Sequence, residues 1–192
     1  MKKILITLGV LIIVGLGANF LFPSIKSTKD LPFIIYTEVF SQKQSEYFVY
    51  FYQETCEICK EFEPDILKAA RDNNMPIYVV DLLNNKNESA WYDWDTHHEK
   101  YTRVIGQIVN GEEVFNEGES PELYPEEDGW TLTTTNNEIT LERRPQNNRA
   151  PRTPEEISIP WTPVLLHIKD GEVIGYSEGI NEGQLLLAQF GQ

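Results

Sequence analysis

Between residues 46 and 81 a strand, a C-x-x-C pair, a helix and a second strand follow one another, and this run constrains the fold more than any other part of the chain. Residues 46–53 (EYFVYFYQ) place Tyr, Phe and Val at consecutive positions, as in a strand covered on both faces. Cys56 and Cys59 follow at once. Ile58, Phe62, Ile66, Leu67 and Ala70 then recur at steps of three and four, which predicts a helix over 60–73. Pro64 lies inside it and removes one hydrogen bond. Residues 75–81 (MPIYVVD) read as the next strand. Strand, helix, strand in this order is a βαβ unit with a parallel pair.

The far end is as legible. Residues 163–169 (PVLLHIK) read as a strand, with His167 an exposed strand histidine. Asp170-Gly171 is a hairpin turn, and residues 172–176 return. Asn181 is placed to cap a last helix running to Phe190. Residues 31–45 predict a short strand or helix.

Residues 84–159 are polar and punctuated. One face carrying Trp91, Trp94, His98, Tyr101 and Ile105 predicts a helix within 89–109. Residues 129–142 read as a hairpin turning at Asn136-Asn137, and the acidic run 112–128 as a solvated loop without the spacing of a calcium loop. The aromatic residues Trp91, Tyr92, Trp94, Tyr101 and Trp130 read as a satellite core, with a partner surface as the alternative.

The N-terminal region belongs to a different class. Lys2 and Lys3 precede residues 4–22, nineteen positions without a charge, fourteen of them apolar. At about 1.5 Å per residue such a run spans a hydrocarbon core of about 30 Å. It reads as an uncleaved signal anchor with its basic end inside, or as a cleaved secretory signal. Both put the remainder outside the cytoplasm. Residues 23–30 read as a polar linker, so the chain divides into an anchor and linker at 1–30 and one domain at 31–192.

Charge narrows the partners. The 192 residues carry a net charge of −14, and from residue 31 onward 12 basic and 29 acidic residues make −17. Nucleic acid is excluded as a partner, because phosphate binding needs a Lys/Arg surface. Two cysteines are too few for a disulfide-stapled mini-protein.

Chemistry therefore falls to Cys56 and Cys59. Only a thiolate is nucleophilic. At a strand end and helix start, Cys56 meets free N–H groups and partial positive charge. Cys59, one turn on, can close a ring with it, so Cys56 would attack a disulfide and Cys59 would release the product. Glu57 between them should push the Cys56 thiol up relative to a neutral residue, while Ile58 adds no donor. Two other readings stay open. A zinc site would recruit His97 and His98, although adjacent helix residues project about 100° apart. A purely structural disulfide would close a ring too small to remove much loop entropy. No cofactor is implied.

At this point the residues resemble the thioredoxin-like superfamily. The run 47–52 leading into Cys56-Glu57-Ile58-Cys59-Lys60, with Lys60 after the second cysteine and Pro64 five residues past it, is similar to the family's motif. Residues 162–172 (TPVLLHIKDGE) are similar to its cis-proline, strand, turn and strand. The resemblance covers 31–83 and 160–192 and leaves 84–159 as a large insertion before the proline. It implies an α/β thioredoxin-like fold, a central mixed sheet flanked by helices, here with an N-terminal transmembrane helix and an inserted subdomain. It also implies that Thr162-Pro163 is cis and lies beside the cysteines, where it would present its backbone to an extended substrate.

The chain departs from the family at several positions. Tyr50 stands where the family has a buried acid that moves protons to the resolving cysteine, and Glu54 is the nearest alternative. Thr55 replaces the usual Trp, and Glu57-Ile58 replaces Gly-Pro.

The function expected is an extracytoplasmic thiol–disulfide oxidoreductase of bacterial type. It would be tethered by a single span and would reduce or isomerise disulfides of exported proteins, fed by a membrane electron donor. The alternative is a non-catalytic accessory or binding module of a membrane or export system. It would use the core as a scaffold and the insertion as an interface.

Overall fold

The computed structural model of the chain describes residues 25–190. The apolar run at 4–22, read above as an anchor, lies outside them; among the described residues no helix is long and apolar enough to cross a membrane.

The main sheet has the order β2-β1-β7-β8. Strand β1 (Glu46–Tyr52) pairs in parallel with β2 (Ile77–Asp81), and α1 (Glu57–Asp72) connects them. On its other side β1 runs antiparallel to β7 (Val164–Lys169), which turns into β8 (Glu172–Glu178). The turn is Asp170-Gly171 with φ of 51° and 82°, the left-handed pair that a two-residue hairpin requires. Helix α3 (Gly179–Leu187) packs against α1. Gly183 lets it do so, because a Cβ there would lie 2.5 Å from the Phe62 ring.

Strand β1 is covered on both faces, as its run of consecutive apolar residues requires. Phe48, Tyr50 and Tyr52 pack with Cys59, Phe62, Ile66 and Leu67 of α1 and Leu186 and Leu187 of α3. Tyr47, Val49 and Phe51 face the other way, against Val164, Leu166 and Ile168. Among the described residues, this second face is covered by Val39, Leu82, Ala90, Ile157 and Ile159, from irregular segments with short 3₁₀ turns. Ala90, Ile157 and Ile159 come from the stretch read as an insertion, so both of its ends are built into the main core.

The middle of that stretch forms a second, wholly antiparallel sheet of order β4-β3-β6-β5. Its strands are β3 (Thr102–Val109), β4 (Glu112–Phe115), β5 (Trp130–Thr135) and β6 (Glu138–Arg143). Ile105, Ile139 and Leu141 are its buried centre, with Trp130, Tyr124 and Phe115 against them. The hairpin turns at Asn136 and Asn137, both at positive φ. Trp91 packs instead with the main core, and Tyr92, Trp94 and Tyr101 group around His97.

Several local expectations are corrected. The helix predicted across 89–109 is only α2 (Trp94–Tyr101). Ile105 belongs to β3, where β-branched residues pair with β6. Part of the acidic run pairs as β4. Helix α3 begins before Asn181, at Gly179, and the Glu182 carboxylate accepts from the Glu178 N–H. Residues 31–45 form one short 3₁₀ helix (Tyr36–Glu38) and one bridge, Phe33 to Val79. His167 is 4% exposed rather than open. It stacks on Phe48 at 4.3 Å and meets the Glu46 carboxylate at 2.9 Å. The polar linker also docks: Ile25 packs on the core, its carbonyl accepts from Arg71, and Thr28 is buried against α1.

Candidate functional site

The site forms where β1 ends and β7 begins. Phe51 is paired with Val164 in an antiparallel register. The loop leaving β1 therefore meets the loop entering β7, although Cys56 and Thr162 are 106 residues apart in the chain.

Cys56 is the N-cap of α1, whose first residue Glu57 comes three residues before the predicted helix start. Its sulfur accepts from the Cys59 N–H at 3.2 Å, so an otherwise unpaired helix-start donor is spent on sulfur. Cys56 Sγ also lies 3.5 Å from the carbonyl oxygen of Thr162, to which the thiol donates. Thr162-Pro163 is cis, and the Thr162 hydroxyl donates to Gln53 Oε1 at 3.2 Å. Both cysteines are free thiols; Cys56 is half-buried and Cys59 buried.

The two sulfurs are driven in opposite directions. Burial pushes Cys56 up, but hydrogen bonds from the Cys59 and Thr162 side chains and from the Cys59 and Ile58 backbone outweigh it, and its pKa falls below the ordinary value. Cys59 is pushed up to about 11, first by burial and then by its hydrogen bond with Cys56. One nucleophilic and one masked sulfur suit a two-step exchange.

The remaining site residues read from the sequence are placed as follows. Glu57 turns to Lys60, its carboxylate 2.7 Å from Nζ, with both side chains exposed. Its charge is thus partly matched, and hydrogen bonds dominate the Cys56 environment. Ile58 is 50% exposed and does not join the buried face of α1, which Cys59, Phe62, Ile66 and Leu67 carry instead. Tyr50 is fully buried and donates to the Cys59 carbonyl at 3.2 Å; burial pushes its phenol well above its ordinary value.

Among the described residues no group of three His, Cys, Asp or Glu is arranged to hold a metal ion. Both ring nitrogens of His97 are engaged, by the Tyr92 hydroxyl at 2.8 Å and the Arg143 carbonyl at 2.6 Å. His98 faces Glu142 at 3.2 Å.

Two features were not read from the sequence. Trp94 Nε1 donates to the Pro160 carbonyl at 3.0 Å and so ties α2 to the loop that carries Thr162, with Trp161 half-exposed beside it. Glu63, one turn after Cys59, accepts from both the Thr28 N–H and its hydroxyl. Its i+4 spacing from Cys59 was the only signal available.

No family model and no curated protein matches the sequence. Solved structures similar to the chain include thioredoxin f2 of Chlamydomonas reinhardtii, at 11% identity and TM-score 0.39, covering 82% of this chain and 92% of that one. Another is mitochondrial thioredoxin 3 of Saccharomyces cerevisiae, in its oxidized form. It has 12% identity and TM-score 0.39, covering 83% of this chain and 93% of that one.

Proposed function

We propose that the chain is a thioredoxin-like thiol–disulfide oxidoreductase. The observation that carries this reading is the contact set of Cys56. It caps α1, is held by the Cys59 N–H, and faces the Thr162 carbonyl. Cys56 attacks a substrate disulfide and forms a mixed disulfide, and one substrate sulfur leaves as thiolate. Cys59, as thiolate, then attacks Cys56 Sγ. The Cys56–Cys59 bond forms, and the second substrate sulfur leaves. A dithiol donor returns the pair to the reduced form. The Thr162 backbone, at the open end of β7, positions an extended substrate strand.

The substrates proposed are disulfides of exported proteins, and the direction is reductive or isomerising. The uncharged run 4–22 supports a single membrane span. Lys2 and Lys3 would stay on the cytoplasmic side, the domain would lie outside, and a membrane dithiol system would supply electrons. The acidic domain would stand off an anionic lipid surface.

A trapping experiment tests the reading. Cys59→Ser should accumulate mixed disulfides through Cys56, and Cys56→Ser should accumulate none. A variant that traps nothing, with a wild-type pair that does not cycle against dithiols, overturns it.

The separate sheet of the insertion favours a second reading, a non-catalytic module that uses this subdomain as its interface. A double Cys56→Ser, Cys59→Ser variant that retains full biological function would support it.

A further inference from the structure

Cys59 has to lose a proton before it can resolve a mixed disulfide, yet it is 2% exposed and its thiol is pushed up by burial. Tyr50, packed against it, offers no base, since its hydroxyl is committed to the Cys59 carbonyl. Cys59, however, borders a cavity of about 240 Å³ whose lining does not include Cys56. Glu63, Tyr52, Gln53 and Glu54 line it with Thr28 and Lys29, which belong to the docked N-terminal segment. Such a space is large enough for water, and the polar side chains in its walls can hydrogen-bond to it.

Two carboxylates face this cavity. Glu54 lies at its exposed rim, paired with Lys29, whose hydrogen bond and charge hold it below the usual carboxylate range. That pairing makes Glu54 a poor proton acceptor. Glu63 is half-buried, and both hydrogen bonds it receives from Thr28, at 2.6 and 2.7 Å, fall on Oε1. Among the described residues no protein donor reaches Oε2. As residue i+4 from Cys59, Glu63 sits on the same face of α1. The other titratable groups here are Lys60, turned to Glu57, the buried phenol of Tyr52, and Cys56.

We propose that Glu63 accepts the Cys59 proton across this cavity, directly or through water, and that Thr28 holds the carboxylate in place for it. The inference rests on the redox reading above. The proton passes from Cys59 Sγ to Glu63, the Cys59 thiolate attacks Cys56 Sγ, the Cys56–substrate bond breaks, and the substrate sulfur departs with the electron pair. In the reductive half-cycle Glu63 returns the proton to Cys59. The N-terminal segment is thus one wall of the resolving machinery as well as a connection to residues 4–22.

The experiment is stopped-flow reaction of the reduced full chain with 5,5′-dithiobis(2-nitrobenzoate). Each exchange releases one coloured thiolate, first from attack by Cys56 and then from ring closure by Cys59. Cys59→Ser assigns the second phase by abolishing it. Glu63→Gln keeps an oxygen for Thr28 but no base. The second phase should slow by about 100-fold, the lower end of what a positioned proton acceptor contributes, with the first unchanged. A purely electrostatic role has the opposite sign, because removing a nearby negative charge favours the Cys59 thiolate and speeds ring closure. Ring closure in Glu63→Gln as fast as wild type, or faster, overturns the proposal.

Should Glu63→Gln not fold, the wild-type pH profile decides. A second-phase rate that levels off across neutral pH supports an internal acceptor, and one rising tenfold per pH unit throughout overturns it. Absence of the first phase in wild type would instead refute the redox reading itself.

Discussion

The Tyr50 hydroxyl donates to the main-chain carbonyl of Cys59 at 3.2 Å. The strand that leads into the cysteine loop is thereby pinned to the first turn of the helix that leaves it. Tyr50 is wholly buried among Tyr52, Phe62 and Cys59. Removing only the hydroxyl should cost about 0.5–1.5 kcal/mol, the usual net worth of one hydrogen bond. Tyr50→Phe should therefore fold and lose that much in urea denaturation. Tyr50→Asp buries a carboxylate in an apolar layer and should destabilise the chain more than Tyr50→Phe does.

Cys56 is lowered by hydrogen bonds acting against its burial, and the Cys59 side chain is the largest of the favourable ones. The pH midpoint for alkylation of Cys56 by iodoacetamide should lie below the reference value of 9.0. In Cys59→Ala the midpoint should move upward, since a donor to the thiolate is lost. A midpoint that stays put would show that the helix start alone sets the reactivity.

His167 is held neutral by burial, which outweighs the pull of Glu46 toward the charged form, so its folded pKa lies below the ordinary 6.5. The unfolded chain then takes up this proton first as pH falls. The unfolded state binds more protons, and stability drops with falling pH from about 6.5 down to the lowered folded value. Above that window the group contributes no slope. His167→Gln should flatten the pH 7 to 5 portion of a stability profile measured by denaturant midpoint.

Gly183 brings α3 onto the Phe62 ring. A Cβ there would sit 2.5 Å from Cζ and 2.9 Å from Cε1, in a layer where Phe62 is fully buried and cannot swing away. Gly183→Ala should cost about 1–3 kcal/mol as overpacking, although alanine is the better helix former. A thermal melt unchanged from wild type would contradict the packing described.

Trp94 links α2 to the loop that carries Thr162 through the buried Pro160. Trp94→Phe leaves that carbonyl without its donor and should cost about 1–3 kcal/mol. The loosened Thr162 loop should slow exchange with a protein disulfide more than with a small aromatic disulfide. Equal effects on both would place the tether outside substrate positioning.

What could be read in advance follows the range of the interactions involved. Strand β1, α1 and β2, the Asp170-Gly171 turn and the Asn136-Asn137 turn were legible because periodicity and turn chemistry report neighbours a few residues apart. The second sheet was half legible. Its β5–β6 hairpin carries a local turn signal, and β3 depends on pairing with the distant β6, whereas β4 pairs with its neighbour β3 across the short Asn110-Gly111 turn. Ile105 could be read as helical because one apolar residue fits either period.

The same division holds for the site. The sequence by itself determined that two cysteines one helical turn apart stand at a strand end and that Pro163 heads a strand. Only the tertiary structure decided the rest. It paired Phe51 with Val164 and so set Thr162 against Cys56. It buried His167 under Phe48, and it folded residues 25–30 back onto α1 so that Thr28 grips Glu63 beside Cys59. Each of these contacts joins segments far apart in the chain, and their loop-closure cost is met by burial in a shared core. That gain belongs to the assembled layers and leaves no periodic trace in either segment alone.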